Sequence, residues 1–411
     1  MIGGVALGLA VVCLVLGGLV LVGYPLVVVL LARRRGRPAR ARAWTPKVSI
    51  LLVCRNESKN LPRKIASLLA LDYPKDKLEI LVADDASTDG TVRILNAARA
   101  ELPKLQIVRS SSHRGKPANL NALMARASGE IVVFNDARQP LDPQAIRALC
   151  AALADPEVGG ATGDLVLPVG DDGAVPAMGA YWRYESALRR AEGALHSTLG
   201  GTGALYAVKR ELVRPFERDL VLDDMVLPLR VVLGGHRFVF ASEARAYDVF
   251  SESLEREFQR KVRTLAGNFQ ALRFERRLLK AKGNPIFWQF LFHKVGRLAL
   301  PWLMVAAFAL SAVASTAVGF STVKHLGTAL LLAQSCFYAA ALAGEILVRL
   351  VGRAGPLGMA RTIVSMNVAT ACGLFVAVAG GLRATWKEAD SQDADALSEP
   401  GSARQPMGSN A

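Results

Sequence analysis

Two acidic pairs, Asp84-Asp85 and Asp223-Asp224, and the pair Asn135-Asp136 carry the chemistry that this 411-residue chain can do. Asp84-Asp85 and Asn135-Asp136 follow short apolar, β-branched runs, residues 78–83 and 131–134, which read as buried strands. In an open parallel sheet, ligands bind in the crevice beyond the carboxyl ends of the strands. A carboxylate there can hold a divalent cation, and the cation can hold a diphosphate. Asp136 is placed for that task. Asn56 and Glu57 follow another apolar run, 48–54, and so stand at a neighbouring strand end. Lys116 is a point charge suited to phosphate or to the surroundings of a sugar.

These side chains need a sheet behind them. Residues 48–54, 78–83, 106–109 and 131–134 read as strands, with helices over 60–71, 89–101 and 117–127 between them. The continuous apolar run 48–54 suits a strand covered on both faces, and Pro117 sits near the first turn of its helix. This alternation implies an α/β domain with a Rossmann-like, mostly parallel sheet of the nucleotide-binding type. The following region is less regular: strand and turn over 159–169, a helix over 177–195, a glycine-rich turn over 199–206, a helix over 223–233, a strand over 237–241 and a long basic helix over 253–279. Asp84-Asp85 also fits a turn and helix cap, and Asp223-Asp224 also fits a helix N-terminus.

Hydrophobic residues make up 52% of the chain. Residues 1–32, 298–323 and 362–382 are uncharged, and 325–344 lacks acid, Lys and Arg. Each is long enough for a hydrocarbon core of about 30 Å, which takes about 20 helical residues. The first stretch lacks the basic start of a cleaved signal and its apolar run is too long for one. Arg33, Arg34, Arg35, Arg37, Arg40 and Arg42 follow in a basic linker, 33–45. By the positive-inside rule they and the domain over 46–284 are cytoplasmic, in an integral protein of the plasma (inner) membrane. The loop with Arg349, Arg353 and Arg361 then also faces inward, and the loop with Lys324 and His325 faces outward. Residues 285–297 carry aromatic side chains on one side, with His293, Lys294 and Arg297 at helical spacing, as in a helix lying in the membrane interface. Three spans fill 298–382, and Glu345 pairs with Arg349 four residues on. Residues 383–411 are polar and read as a disordered tail. The net charge of +15 lies mainly beside the spans, where Lys and Arg meet anionic lipid; this argues against a nucleic-acid partner. The five Cys residues form no close pair, so neither a zinc site nor a disulfide framework is supported.

Read in order, Arg55-Asn56-Glu57, the segment from Leu81 to Thr91, Lys116-Pro117-Ala118-Asn119-Leu120-Asn121, Asp136-Ala137, Asp223-Asp224 and Gln259-Arg260-Lys261-Val262-Arg263-Thr264 resemble the motifs of family 2 glycosyltransferases. The resemblance covers roughly residues 46 to 300. With the spans, the layout is similar to the membrane-embedded cellulose, chitin, hyaluronan and poly-N-acetylglucosamine synthases. It implies a GT-A type domain, a nucleotide-sugar donor (a UDP-sugar), Mg²⁺ or Mn²⁺, and transfer with inversion. On that reading Asn56, Glu57, Asp84, Asp85, Lys116, Asn121, Asp136 and Arg138 bind the donor, and Asp136 holds the metal. Asp224 is the catalytic base with Asp223 beside it. Gln259, Arg260 and Arg263 hold the leaving diphosphate and the acceptor. Gly201, Thr202 and Gly203 line the acceptor site, small residues letting a sugar approach the backbone.

Two positions depart from the family pattern. Arg138 stands where an Asp-x-Asp motif has its second acid. Either the metal is held by Asp136 with diphosphate oxygens and water, or Arg138 itself neutralises phosphate. Thr264 stands where Trp is usual. The expected product is an envelope or extracellular polysaccharide passing between the helices, with an export or regulatory subunit as a compatible partner. The alternatives are addition of one sugar to a membrane lipid acceptor, in the manner of ceramide glucosyltransferases, and a catalytically silent sensor of sugar nucleotides or polysaccharide.

Overall fold

The computed structural model describes residues 1–166, 176–248, 254–318, 321–351 and 355–380. The tail expected over 383–411 lies outside them. Seven strands form one sheet: β1 (Val48–Cys54), β2 (Leu78–Asp84), β3 (Leu105–Arg109), β4 (Ile131–Asp136), β5 (Val158–Val166), β6 (Tyr206–Lys209) and β7 (Arg237–Tyr247). Their order is β3-β2-β1-β4-β6-β5-β7. The first four are mutually parallel, and β6 runs antiparallel to both β4 and β5.

All seven residues of β1 are buried, because helices cover both faces of the sheet. Ile50 and Leu52 pack toward α2 (Leu61–Leu69), α3 (Thr91–Ala98) and α5 (Ala145–Leu153). Leu51 and Val53 pack toward α4 (Lys116–Met124) and α7 (Asp223–Leu233). The helix at 145–153 and the four-residue strand β6 were not among the sequence expectations. The register sets the functional edge: Cys54 lies opposite Asp84 and Val53 opposite Asp136. The chain winds from β1 to β2 and β3 on one side and to β4 on the other, so this edge is the topological switch point where ligands bind.

Among the described residues, four helices are long and apolar enough to cross a membrane: α1 (Ile2–Arg35), α9 (Phe287–Ser315), α10 (Ser321–Val351) and α11 (Gly355–Val378). Their outer faces expose Val5, Leu9, Leu26, Leu332 and Phe375. The helix expected over 298–323 ends earlier, at Ser315, so Lys324 and His325 begin the next helix instead of joining two spans. Glu345 pairs with Arg349 as its spacing implies, at 2.9 Å, and also with Arg361 of α11, at 2.8 Å. The separate interface helix expected over 285–297 is instead the opening of α9. Its segment Phe290–Gly296 is π-helical and runs directly into the helix from Arg297. The apolar helix α1 has a π-helical stretch of its own, Leu19–Gly23. The two π segments pack together; a Cβ on Gly296 would lie 2.7 Å from Val20. Two further helices complete the frame: α6 (Pro176–Leu195), which packs on α1, and α8 (Leu254–Phe274), which packs on α11.

Candidate active site

The edge of the sheet presents the acids in two groups. At the end of β2, Asp85 accepts hydrogen bonds from the backbone N–H of Arg114 (2.7 Å) and Gly115 (3.0 Å), and faces His113 Nδ1 at 2.6 Å. Burial alone would raise its pKa, but these donors bring it below the ordinary carboxylate value. Asp85 is therefore spent on holding the loop that leads into α4. Asp84 is fully buried and neither of its oxygens has a hydrogen-bond partner; the Arg109 guanidinium stands 3.8 Å away. An unmatched buried carboxylate beside an exposed Arg is a ready recognition point. Asn56 takes a left-handed conformation (φ 52°) and its Oδ1 accepts from Thr88 N–H at 2.9 Å. Glu57 accepts from Asn60 at 2.6 Å, and burial raises its pKa. These two shape the loops around Asp84.

The second group surrounds Lys116, at the start of α4. Its Nζ lies 3.0 Å from Asp136 Oδ1 and 3.0 Å from Asp223 Oδ1. Burial acts against its charge, but the flanking carboxylates outweigh that and raise its pKa. Asp223 is completed by Tyr206, whose hydroxyl donates to Oδ2 at 2.8 Å. Tyr206 is in turn fixed by stacking on Phe134, with centroids 4.7 Å apart. Because β6 is antiparallel, Tyr206 pairs with Phe134 at the end of β4, and the glycine turn before it passes over Asp136. A Cβ on Gly203 would lie 2.8 Å from Asp136 Oδ2 and 3.5 Å from Asp224 Oδ2, so only glycine fits. Gly201 N–H donates to the Asp224 carbonyl at 2.6 Å, and Thr202 N–H to Thr162 Oγ1 at 3.0 Å. The turn thus carries Asp136 and Asp224 to a common point.

Asp224 is the carboxylate of this group whose pKa its surroundings raise most clearly. Burial, then the like charge of Asp223, push its pKa up to about 6, against the opposing effect of Lys116. That value suits a general base near neutral pH. A metal held by protein ligands alone does not fit: among the described residues no three His, Cys, Asp or Glu side chains converge. A cation shared with a diphosphate does fit, since the part-exposed Asp136 engages Lys116 through Oδ1, its Oδ2 has no hydrogen bond among the described residues, and Mg²⁺ is content with one carboxylate plus phosphate oxygens.

The structure separates some residues that the sequence groups together. Arg138 points to Asp248, at 2.7 Å, which also accepts from Gln139 at 3.1 Å; its charge is committed to the end of β7. Asn121 bonds the backbone of Phe216 through both side-chain polar atoms (2.8 and 2.9 Å), pinning the loop before α7. Gln259 and Arg260 are exposed, with Arg260 3.3 Å from Glu257, whereas Arg263 is half-buried. Further along the same helix, Thr264 and Asn268 line an open cavity that also contacts Gly200, Gly201 and Asp224. His293, Lys294 and the α6 residues Glu185, Arg189 and Glu192 line its other side. His293 lies 2.8 Å from Glu192 and 3.2 Å from Glu185, and Arg297 lies 2.9 Å from Glu185. Two of the three basic residues expected at the membrane surface, His293 and Arg297, therefore pair with acids of α6, and Lys294 lines the cavity beside them. Tyr206, Glu185 and Glu192 had no motif to mark them. The spacing of 185, 189 and 192 does put three charges on one helix face.

Residues 49–213 match the family described as Glycosyl transferase family 2. The chain is 28% identical over 198 residues to the beta-monoglucosyldiacylglycerol synthase of Synechocystis, covering 46% of this chain and 40% of that protein. It is 25% identical over 232 residues to the poly-beta-1,6-N-acetyl-D-glucosamine synthase of Staphylococcus aureus, covering 55% of each. The chain thus spans about half the length of these curated relatives. Its structure is similar to that of the mannosyltransferase PcManGT from Pyrobaculum calidifontis in complex with GDP-Man and Mn²⁺, with a TM-score of 0.68 and 25% identity over 90% of this chain and 99% of that one. The sheet is of the GT-A type.

Proposed function

We propose that this chain, whose residues 49–213 match the family described as Glycosyl transferase family 2, is a membrane-bound, inverting glycosyltransferase that moves one sugar from a UDP-sugar to a hydroxyl of a membrane lipid. The observation that carries the reading is Asp224: a carboxylate with a pKa of about 6 at the mouth of a cavity between the donor edge of the sheet and the apolar helices. The arginine cluster from Arg33 to Arg42 supports a cytoplasmic catalytic domain.

In this mechanism Asp84 accepts an N–H of the base through its unmatched oxygens, and Arg109 donates to a neighbouring carbonyl of the same ring. Lys116 presents its charge to the diphosphate. A divalent cation, Mg²⁺ or Mn²⁺, when bound through Asp136, neutralises the leaving diphosphate. The acceptor hydroxyl gives its proton to Asp224 while its oxygen attacks the anomeric carbon. The bond from that carbon to the diphosphate oxygen breaks, and its electron pair leaves on the diphosphate. Attack opposite the leaving group inverts the anomeric configuration.

The lipid acceptor is favoured by the wall of the cavity toward the apolar helices, which is closed by buried, mutually paired Glu185, Glu192 and His293. A polysaccharide product is the second reading, favoured by the similarity to the Staphylococcus aureus synthase. Mass spectrometry of products made in lipid vesicles from a labelled UDP-sugar tests the choice. A single hexose increment on a lipid is expected; a ladder of increments would establish the second reading.

A further inference from the structure

The cavity beside Asp224 contains polar groups that the transfer step does not use. Glu192 is fully buried. Its Oε1 accepts from the Tyr24 hydroxyl of α1 and faces His293 Nδ1 at 2.8 Å. Its Oε2 is buried with no hydrogen-bond partner. Lys294, one residue after His293, makes no hydrogen bond or ion pair among the described residues. An acceptor and a donor thus stand unmatched in one cavity. Leaving a buried carboxylate oxygen unmatched is costly, so the arrangement calls for a ligand that supplies both halves.

The backbone is built for this placement. The π-helical turns at Leu19–Gly23 and Phe290–Gly296 pack at one level and bring Tyr24 and His293 to the same carboxylate. Such widened turns are rare and gather at functional sites. The sign of the charges selects the ligand. A phosphate would satisfy Lys294 but would set an anion against Glu192 and Asp224. A hydroxyl both donates and accepts. Neighbouring hydroxyls of a sugar ring or a glycerol backbone can take a hydrogen bond from Lys294 and give one to Glu192, leaving a third aimed at Asp224.

We propose that Glu192 and Lys294 form an acceptor subsite for an uncharged, polyhydroxylated group, Glu192 accepting through its free Oε2 and Lys294 donating. The proposal rests on the glycosyltransferase reading and names its acceptor chemistry. Tyr24 and His293 are positioning residues that hold Glu192 from the apolar helices.

The test uses the full chain in phosphatidylcholine nanodiscs, as wild type, Glu192→Gln and Lys294→Met. Glu192→Gln keeps an oxygen for Tyr24 and replaces the free oxygen with a donor. Saturation-transfer NMR with methyl β-D-glucoside needs no turnover; signal on the sugar protons is expected with wild type and loss of most of it with each variant. UDP binding retained in both variants serves as the folding control. Equal sugar signal in wild type and variants would overturn the subsite while leaving transfer activity untouched as a question. In turnover, the KM for diacylglycerol or monoglucosyldiacylglycerol should rise about tenfold or more in each variant, with the KM for the donor within twofold; the lipid that responds identifies glycerol or sugar as the group held. Preference for phosphatidic acid, lost in Lys294→Met alone, would also overturn the proposal. Failure of wild type to release nucleotide from any donor would instead overturn the glycosyltransferase reading, with the NMR result still standing by itself.

Discussion

Replacing Asp223 with Asn should move the acid limb of the pH–rate profile downward. Asp224 rises from the ordinary 3.8 to about 6, burial contributing most and the Asp223 charge next. At about 1.4 kcal/mol per pKa unit, the whole rise is worth about 3 kcal/mol. The Asn side chain removes the like charge and leaves the burial, so less than half of the rise should disappear, about 0.5–1 unit. The sign follows directly. Asp224 acts as a base when ionised, so activity falls as pH drops through its pKa; a lower pKa keeps it ionised further into acid. For a shift of about one unit, the ionised fraction at pH 5.5 rises about threefold, from about a quarter to about three quarters. The weaker base should also slow transfer at pH 8 several-fold, because proton transfer follows base strength. The profile of kcat against pH between 4.5 and 8.5, read as nucleotide release at saturating donor, checks both effects. An acid limb that stays in place or moves upward would refute Asp224 as the titrating base, or the electrostatic role of Asp223.

Other perturbations test the frame around this site. Arg138→Asp should lower stability by about 2–3 kcal/mol, because Asp248 loses the guanidinium that stands 2.7 Å from it and gains a second carboxylate nearby. Thermal unfolding should show the loss, and Arg138→Asp with Asp248→Arg should restore much of it; no rescue would mean the pair is not what Arg138 provides. Tyr206→Phe leaves Asp223 Oδ2 buried without its donor, at a cost of about 1–3 kcal/mol. A melting curve unchanged from wild type would exclude that hydrogen bond.

Much of the strand edge that carries Asp84 and Asp136 was legible because its signals are local. β1, β2 and β4 are short apolar runs ending in Asn56, Asp84 and Asp136, and the parallel sheet then brings those ends together without further information. The helix Asp223–Leu233 was legible from its two opening acids and apolar face. The cluster around Glu192 was not, because its contacts join distant parts of the chain. Glu192 meets His293 across 101 residues and Tyr24 across 168. On sequence alone, His293, Lys294 and Arg297 read as a basic interface stripe, since the acids that face them lie on another helix. β6 is four residues long and enters antiparallel, so neither length nor alternation announces it. Arg138 read as a departure at the metal site, and only the fold supplies Asp248 as its partner.

On the proposed function, this chain releases a nucleoside diphosphate from a sugar donor with Asp224 as base. The measurement that tests it most directly is nucleotide release by the purified chain in lipid, with and without Mg²⁺ or Mn²⁺, across a panel of UDP-sugars and GDP-mannose, for wild type and Asp224→Asn. Metal-dependent release from one UDP-sugar is expected, reduced by about 10²–10⁴ in Asp224→Asn with UDP binding intact. Release by Asp224→Asn at the wild-type rate, or UDP binding by wild type without release from any donor, would contradict it.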